Sequence, residues 1–166
     1  RIADGLAESA QPLGADAIAG TATAGIPHAA LVADRLGLPL CYVRASAKDH
    51  GRQNRIEGRV LPGQRVILVE DLVSTGGSVL SAAAALREAG AVPIAALAVF
   101  SYGFWEADRA FAAAGLPLQT LTTFEALVGA ARSDGALSDA DLEALAEWHR
   151  DAAGWSAARA SRGNGM

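Results

Sequence analysis

The chain has 166 residues, 51% of them hydrophobic, and a formal net charge of −4. That length fits one domain with a sizeable core, and the acidic balance provides no overall basic field to gather nucleic acid. Apolar stretches are broken by Gly, Pro or charge well short of the ~18 residues of a membrane span. With no leader in view and a lone Cys41 that has no disulfide partner, a cytoplasmic location is expected.

The sequence opens at Arg1, without Met, on an amphipathic helical run to Ala10, so it reads as starting inside a longer protein. Ala15 to Gly20 reads as a short core strand. It leads through Thr21, Ala22, Thr23, Ala24 and Gly25 to Pro27, which suits the first turn of a helix continuing from His28 to Leu36. From these residues alone a plain turn and an anion site are both open. Pro39 to Val43 is the next strand. Arg44 to Gly58 then reads as a long polar loop, and between Arg44 and Arg55 it sets Arg44, Lys48, Arg52 and Arg55 against only Asp49. Lys48 is the single lysine beside 13 arginines, which suggests a position that wants a compact ammonium.

Val66 to Val69 reads as a strand buried on both faces, as in parallel sheets covered by helices. Glu70 and Asp71 stand where this run stops. Leu72, Val73, Ser74, Thr75, Gly76, Gly77 and Ser78 follow, before a helical run from Val79 to Ala89. A small-residue turn that enters a helix presents N–H groups and hydroxyls to an anion. Adjacent carboxylates suit the vicinal hydroxyls of a ribose, so the stretch points to a sugar phosphate. A Walker A loop requires Lys where Ser78 stands, which disfavours a nucleoside triphosphatase.

Val92 to Ser101 is a further strand, ending at Tyr102-Gly103-Phe104, an edge where base contacts are conceivable. Trp105 to Ala114 reads as a helix and Pro117 to Leu121 as a last short strand. Thr122 with Glu125, and Ser138 with Asp141, have capping-box spacing for two more helices. Trp148, His149 and Trp155 are read as packing residues, and 157–166 as a disordered tail. The alternation of strand and helix predicts one doubly wound α/β domain over 1–156, with about five mostly parallel strands.

The stretch VILVEDLVSTGGS resembles the phosphoribosyl-diphosphate (PRPP) signature of the type I phosphoribosyltransferases. By that resemblance Glu70 and Asp71 hold the ribose hydroxyls, Asp71 is also catalytic, Ser74 to Ser78 wrap the 5′-phosphate, and Leu72 and Val73 also belong to the PRPP site. Thr21 to Gly25 would bind the diphosphate, and Ser74 would also meet the base. The tetrad Lys48-Asp49-His50-Gly51 is similar to the catalytic loop of the orotate phosphoribosyltransferases. There a Lys, a His and an upstream Arg, matched by Lys48, His50 and Arg44, close over PRPP in the neighbouring subunit. The resemblance therefore implies a homodimer whose Arg44–Gly58 loop acts on the partner's site, with orotate as acceptor. It also implies Mg²⁺ held mainly by substrate, with no dedicated protein metal site.

The sequence departs from the family pattern in places. Ala45 and Ser46 stand where a second Lys is common, Ala24 replaces a frequent Lys, and no Arg lies near Tyr102. The family is also longer at its amino end, where contacts to the base arise. A transferase for a purine or another base, and a regulator that keeps the fold as a nucleotide sensor, are the rival readings.

Overall fold

The computed structural model describes residues 1–46 and 55–156. Lys48 and His50, and the stretch read as a tail, lie outside the described residues. The chain divides into two compact units, Arg1–Thr122 and Thr123–Met166.

The first unit is an α/β layer structure. Helix α1 (Ile2–Ala10) precedes strand β1 (Ala17–Thr21), and helix α2 (Gly25–Leu36) leads to β2 (Leu40–Val43). A short β3 (Ile56–Glu57) precedes the central β4 (Arg65–Val73), which continues through helix α3 (Gly77–Glu88) to β5 (Val92–Ser101). Helix α4 (Trp105–Ala114) and β6 (Leu118–Thr123) follow. The sheet order is β3-β2-β1-β4-β5-β6. β2, β1, β4 and β5 are mutually parallel, and β3 runs antiparallel to β2. Among the described residues the sheet has six strands, in line with the expected mostly parallel sheet of about five and with one strand more. The extra one is Ile56–Glu57, inside the stretch read as loop, where Val43 pairs with Ile56 and Tyr42 with Glu57. Two residues are too few for an alternating pattern to register in sequence.

The apolar runs serve both faces of the sheet, because successive side chains point to opposite sides. Ala19, Val66, Leu68, Ala96 and Ala98 pack with Val79, Ala83 and Leu86 of α3 and Phe111 of α4. Ile18, Ile67, Val69, Ala95 and Leu97 pack on the other face with Leu6 and Ala7 of α1 and Ala29 and Val32 of α2. Val66 to Val69 are fully buried. Many contact positions are alanine, which lets helices lie close to the sheet.

Strand β4 is longer than the apolar run that announced it. It continues through the acidic pair to Val73 because β5 keeps pairing with it, Glu70 with Ala98, Leu72 with Phe100 and Val73 with Ser101. Its register with β5 shifts between Val66 and Ile67, where Pro93 stands opposite. Proline has no N–H to give the ladder, so an irregularity at that point is expected.

In the second unit, helix α5 (Phe124–Ser133) is followed by α6 (Asp139–Arg150). The capping residue of α5 is Thr123, whose Oγ1 accepts from the Ala126 N–H at 3.2 Å. The Thr122 assignment is corrected by one residue, because Thr123, the last residue of β6, is the one three positions before the Ala126 N–H that the cap accepts from. Ser138 and Asp141 form the expected reciprocal box at the start of α6. Phe124 stacks on His149, with centroids 4.8 Å apart, and lies 5.3 Å from Trp148, in keeping with a packing role for both.

Candidate active site

Chain direction creates the site. From β1 the chain crosses through α2 to β2 on one side, whereas from β4 it crosses through α3 to β5 on the other. Between the carboxyl ends of β1 and β4 the connections diverge and leave a crevice, the usual ligand position in open α/β sheets. Thr21 to Gly25 leave β1 on one wall, and Glu70 to Ser78 end β4 on the other.

The first wall is tied down at several points. Thr21 is buried, and its Oγ1 donates to the Val69 carbonyl at 3.3 Å. The Ala22 N–H donates to Val43 O at 2.9 Å, and the Ile26 N–H to Thr23 O at 3.2 Å. The Ala22–Thr23 peptide bond is cis. Gly25 opens α2 against the central strand so closely that a Cβ there would stand 2.5 Å from Val69 O and 3.1 Å from Glu70 Oε1.

On the second wall, the continuous burial of Val66 to Glu70 breaks near the end of β4. Glu70 is only 6% exposed, Asp71 is half-buried, Leu72 is exposed and Val73 returns to the core. Val73 is buried, and its carbonyl accepts from the Tyr102 N–H at 3.0 Å. Ser74 and Thr75 are exposed. Gly76 caps α3 with φ +82°, and no side chain caps this helix. The first amides of α3 are thus left for an anion, with the positive end of the helix dipole behind them.

The two features are joined. Ser78 Oγ, in the first turn of α3, donates to Glu70 Oε2 at 3.0 Å, and Glu70 Oε1 accepts from the Asp71 N–H at 3.1 Å. Burial, and then the adjoining Asp71 carboxyl, push the Glu70 carboxyl up from 4.5 to about 7. Between those values the folded chain holds a proton that the unfolded chain releases, so this group lowers stability as pH rises through the window. Replacing Glu70 by Gln should flatten that part of the profile. Urea midpoints of both proteins at about pH 5 and about pH 7.5 give the comparison, each unit of displacement being worth about 1.4 kcal/mol. Equal pH dependence in the two would contradict the raised value.

The structure brings Thr21, Ala22, Arg44 and Ser78 to one cavity of about 190 Å³, which Arg55 and Ser81 also line. Arg55 and Ser81 were not singled out as site residues from sequence. Arg55 was visible there only as one of several charges, and its partner lies 26 residues away on α3. At the end of β5, Tyr102 stacks on Phe104 with centroids 5.3 Å apart, and Phe100 meets Tyr102 edge-on at 5.2 Å. The turn is held by the Gly103 N–H donating to Ser101 Oγ at 3.0 Å. No helix among the described residues is long and apolar enough to cross a membrane.

Residues 1–108 match the family model of the phosphoribosyl transferase domain. The chain is 51% identical over 156 residues to the orotate phosphoribosyltransferase of Bacillus caldolyticus, with 93% of this chain and 75% of that one aligned. Among solved structures, the orotate phosphoribosyltransferase of Aeropyrum pernix superposes with a TM-score of 0.71 at 32% identity, over 82% of this chain and 76% of that one. The Mycobacterium tuberculosis enzyme in complex with PRPP gives a TM-score of 0.66 at 27% identity, over 76% of this chain and 73% of that one. Agreement of this depth extends well beyond the crevice and includes the strands and helices that build it. The chain belongs to the phosphoribosyl transferase family, and within it to the orotate phosphoribosyltransferases.

Proposed function

We propose that this orotate phosphoribosyltransferase divides its reaction between an acidic wall that holds the sugar and cationic groups that receive the diphosphate. The acceptor nitrogen of orotate gives up its proton and forms a bond to C1 of PRPP as the bond from C1 to the diphosphate oxygen breaks, giving orotidine 5′-monophosphate, diphosphate and that proton, which the diphosphate or solvent takes up. Positive charge develops at C1 and negative charge on the leaving group, so the two regions need opposite fields. Glu70 and Asp71 orient the ribose hydroxyls, with Asp71 nearest the reacting carbon. Ser74 to Ser78 and the open end of α3 take the 5′-phosphate, and Thr21 to Gly25 the diphosphate. Arg44, Lys48 and His50 stabilise or protonate the leaving group. Orotate lies toward Ser74, beside the aromatic edge of Tyr102 and Phe104.

The observation that carries this reading is the Ser78–Glu70 hydrogen bond at 3.0 Å, which fixes the phosphate turn and the carboxylate pair as one unit. Mg²⁺ would be held mainly by the oxygens of the substrate's diphosphate, and Asp71, half-buried at the lip, is the carboxylate that would reach it. When bound, the ion neutralises charge on the diphosphate. Small, freely diffusing substrates and the single cysteine, buried in the core, support a cytoplasmic setting.

A homodimer in which Lys48 and His50 serve the neighbouring site makes a direct prediction. Lys48→Ala and Asp71→Ala proteins should each lose at least ~10-fold in kcat, equivalent to ~1.4 kcal/mol of transition-state stabilisation. Mixing the two should restore activity through heterodimers with one intact site. Full subunit exchange without recovery would count against action across the interface, and a Lys48→Ala enzyme at the wild-type rate would remove that residue from the chemistry.

A further inference from the structure

Arg55 follows immediately on the undescribed segment, yet its contacts are among the most specific near the crevice. Its Nε donates to the Arg44 carbonyl at 2.9 Å, and the Arg44 N–H donates back to the Arg55 carbonyl at 2.9 Å. From the same guanidinium, Nη2 donates to Ser81 Oγ at 3.0 Å and Nη1 to Ser81 O at 3.4 Å. One planar fork thus joins the end of β2 to the second turn of α3, across the cavity that Thr21, Ala22, Arg44 and Ser78 share.

Among the described residues, Arg44 itself has little else to hold it in place. Its side chain meets Glu57 at 3.8 Å, with both groups about a third exposed, and an ion pair so long and so wet contributes little. Its backbone, by contrast, is bonded on both its N–H and its C=O to Arg55. We infer that Arg55 is a positioning residue, which sets Arg44 against α3 so that the diphosphate and 5′-phosphate contacts of PRPP keep a fixed separation. This rests on Arg44 being a diphosphate contact. Lysine cannot substitute, since a single ammonium does not span two acceptors on different elements as a guanidinium does.

Steady-state kinetics on the full chain, with PRPP varied and orotate saturating, test the inference. Arg55→Ala should raise the KM for PRPP ~10-fold, with any loss in kcat no larger than that of Arg44→Ala, and Arg55→Lys should do no better than alanine. The Arg44→Ala/Arg55→Ala double variant should be no worse than Arg44→Ala, because removing the guanidinium that is positioned removes the benefit of positioning it. Ser81→Ala, which deletes one acceptor, should raise the same KM ~3-fold. This milder variant decides the matter if Arg55 variants do not fold, and a wild-type KM there would overturn the inference. With Arg44→Ala impaired, full rescue by Arg55→Lys or multiplicative losses in the double variant would also overturn it. A wild-type KM for Arg44→Ala would instead overturn the reading of Arg44, and the inference with it.

Discussion

Gly25→Ala should lower kcat/KM for PRPP by ~100-fold, the scale of loss that a displacement of about 1 Å can cause. A Cβ at this position would stand 2.5 Å from the Val69 carbonyl. Val69 cannot yield, because it lies fully buried in the central strand, paired with Gly20 of β1 on one side and Leu97 of β5 on the other. The start of α2 must retreat instead, taking the Thr21 to Gly25 turn away from the acidic pair. The added methyl also approaches Glu70 Oε1 at 3.1 Å, so both walls of the crevice are disturbed at once. Overpacking of this kind costs ~1–3 kcal/mol, and a lower Tm should accompany the kinetic loss. The effect should fall mainly on PRPP. An alanine variant with an unchanged KM for PRPP would mean that the turn after β1 does not contact the donor.

Gly76→Ala combines two penalties that can be separated. The residue has φ +82°, where an alanine pays ~1–2 kcal/mol in backbone sterics. Its Cβ would also approach Phe111 Cε2 to 2.6 Å, and Phe111 is itself buried in the core with α3. The expected result is a loss of PRPP affinity approaching ~100-fold, since the amides that open α3 move with the turn. Phe111→Leu in the same chain should recover part of the lost Tm, leaving the backbone penalty in place. The double variant should therefore be more stable than the sum of the two single effects, while its KM for PRPP stays above wild type. Simple additivity of the Tm changes would exclude the ring as the source of the clash.

The acidic pair and its glycine turn were legible because they are contiguous. Strand, carboxylates and helix entry follow one another within Val66 to Val79, and each signal is local. Arg55 was not legible in this way. It lay in a run of charges, and its role depends on Ser81 and on the pairing of Ile56 with Val43, neither of which leaves a periodic trace. The end of β4 was misplaced for a related reason. A buried glutamate interrupts an apolar run in sequence, but in the sheet Glu70 remains in register with Ala98 and takes Ser78 as a hydrogen-bond partner.

By itself the sequence determined the α/β alternation, the strands that are buried on both faces and the contiguous acidic-pair and glycine-turn motif of residues 70 to 78, because hydrophobic period, turn residues and a contiguous motif are properties of neighbouring positions. Only the tertiary structure decided which two strand ends face each other at the crevice, how closely Gly25 and Gly76 are approached, and that burial beside Asp71 raises the Glu70 carboxyl to about 7. Those depend on contacts between residues far apart in the chain, such as Thr21 with Val69 and Gly76 with Phe111, and such distances exist only once the sheet has assembled.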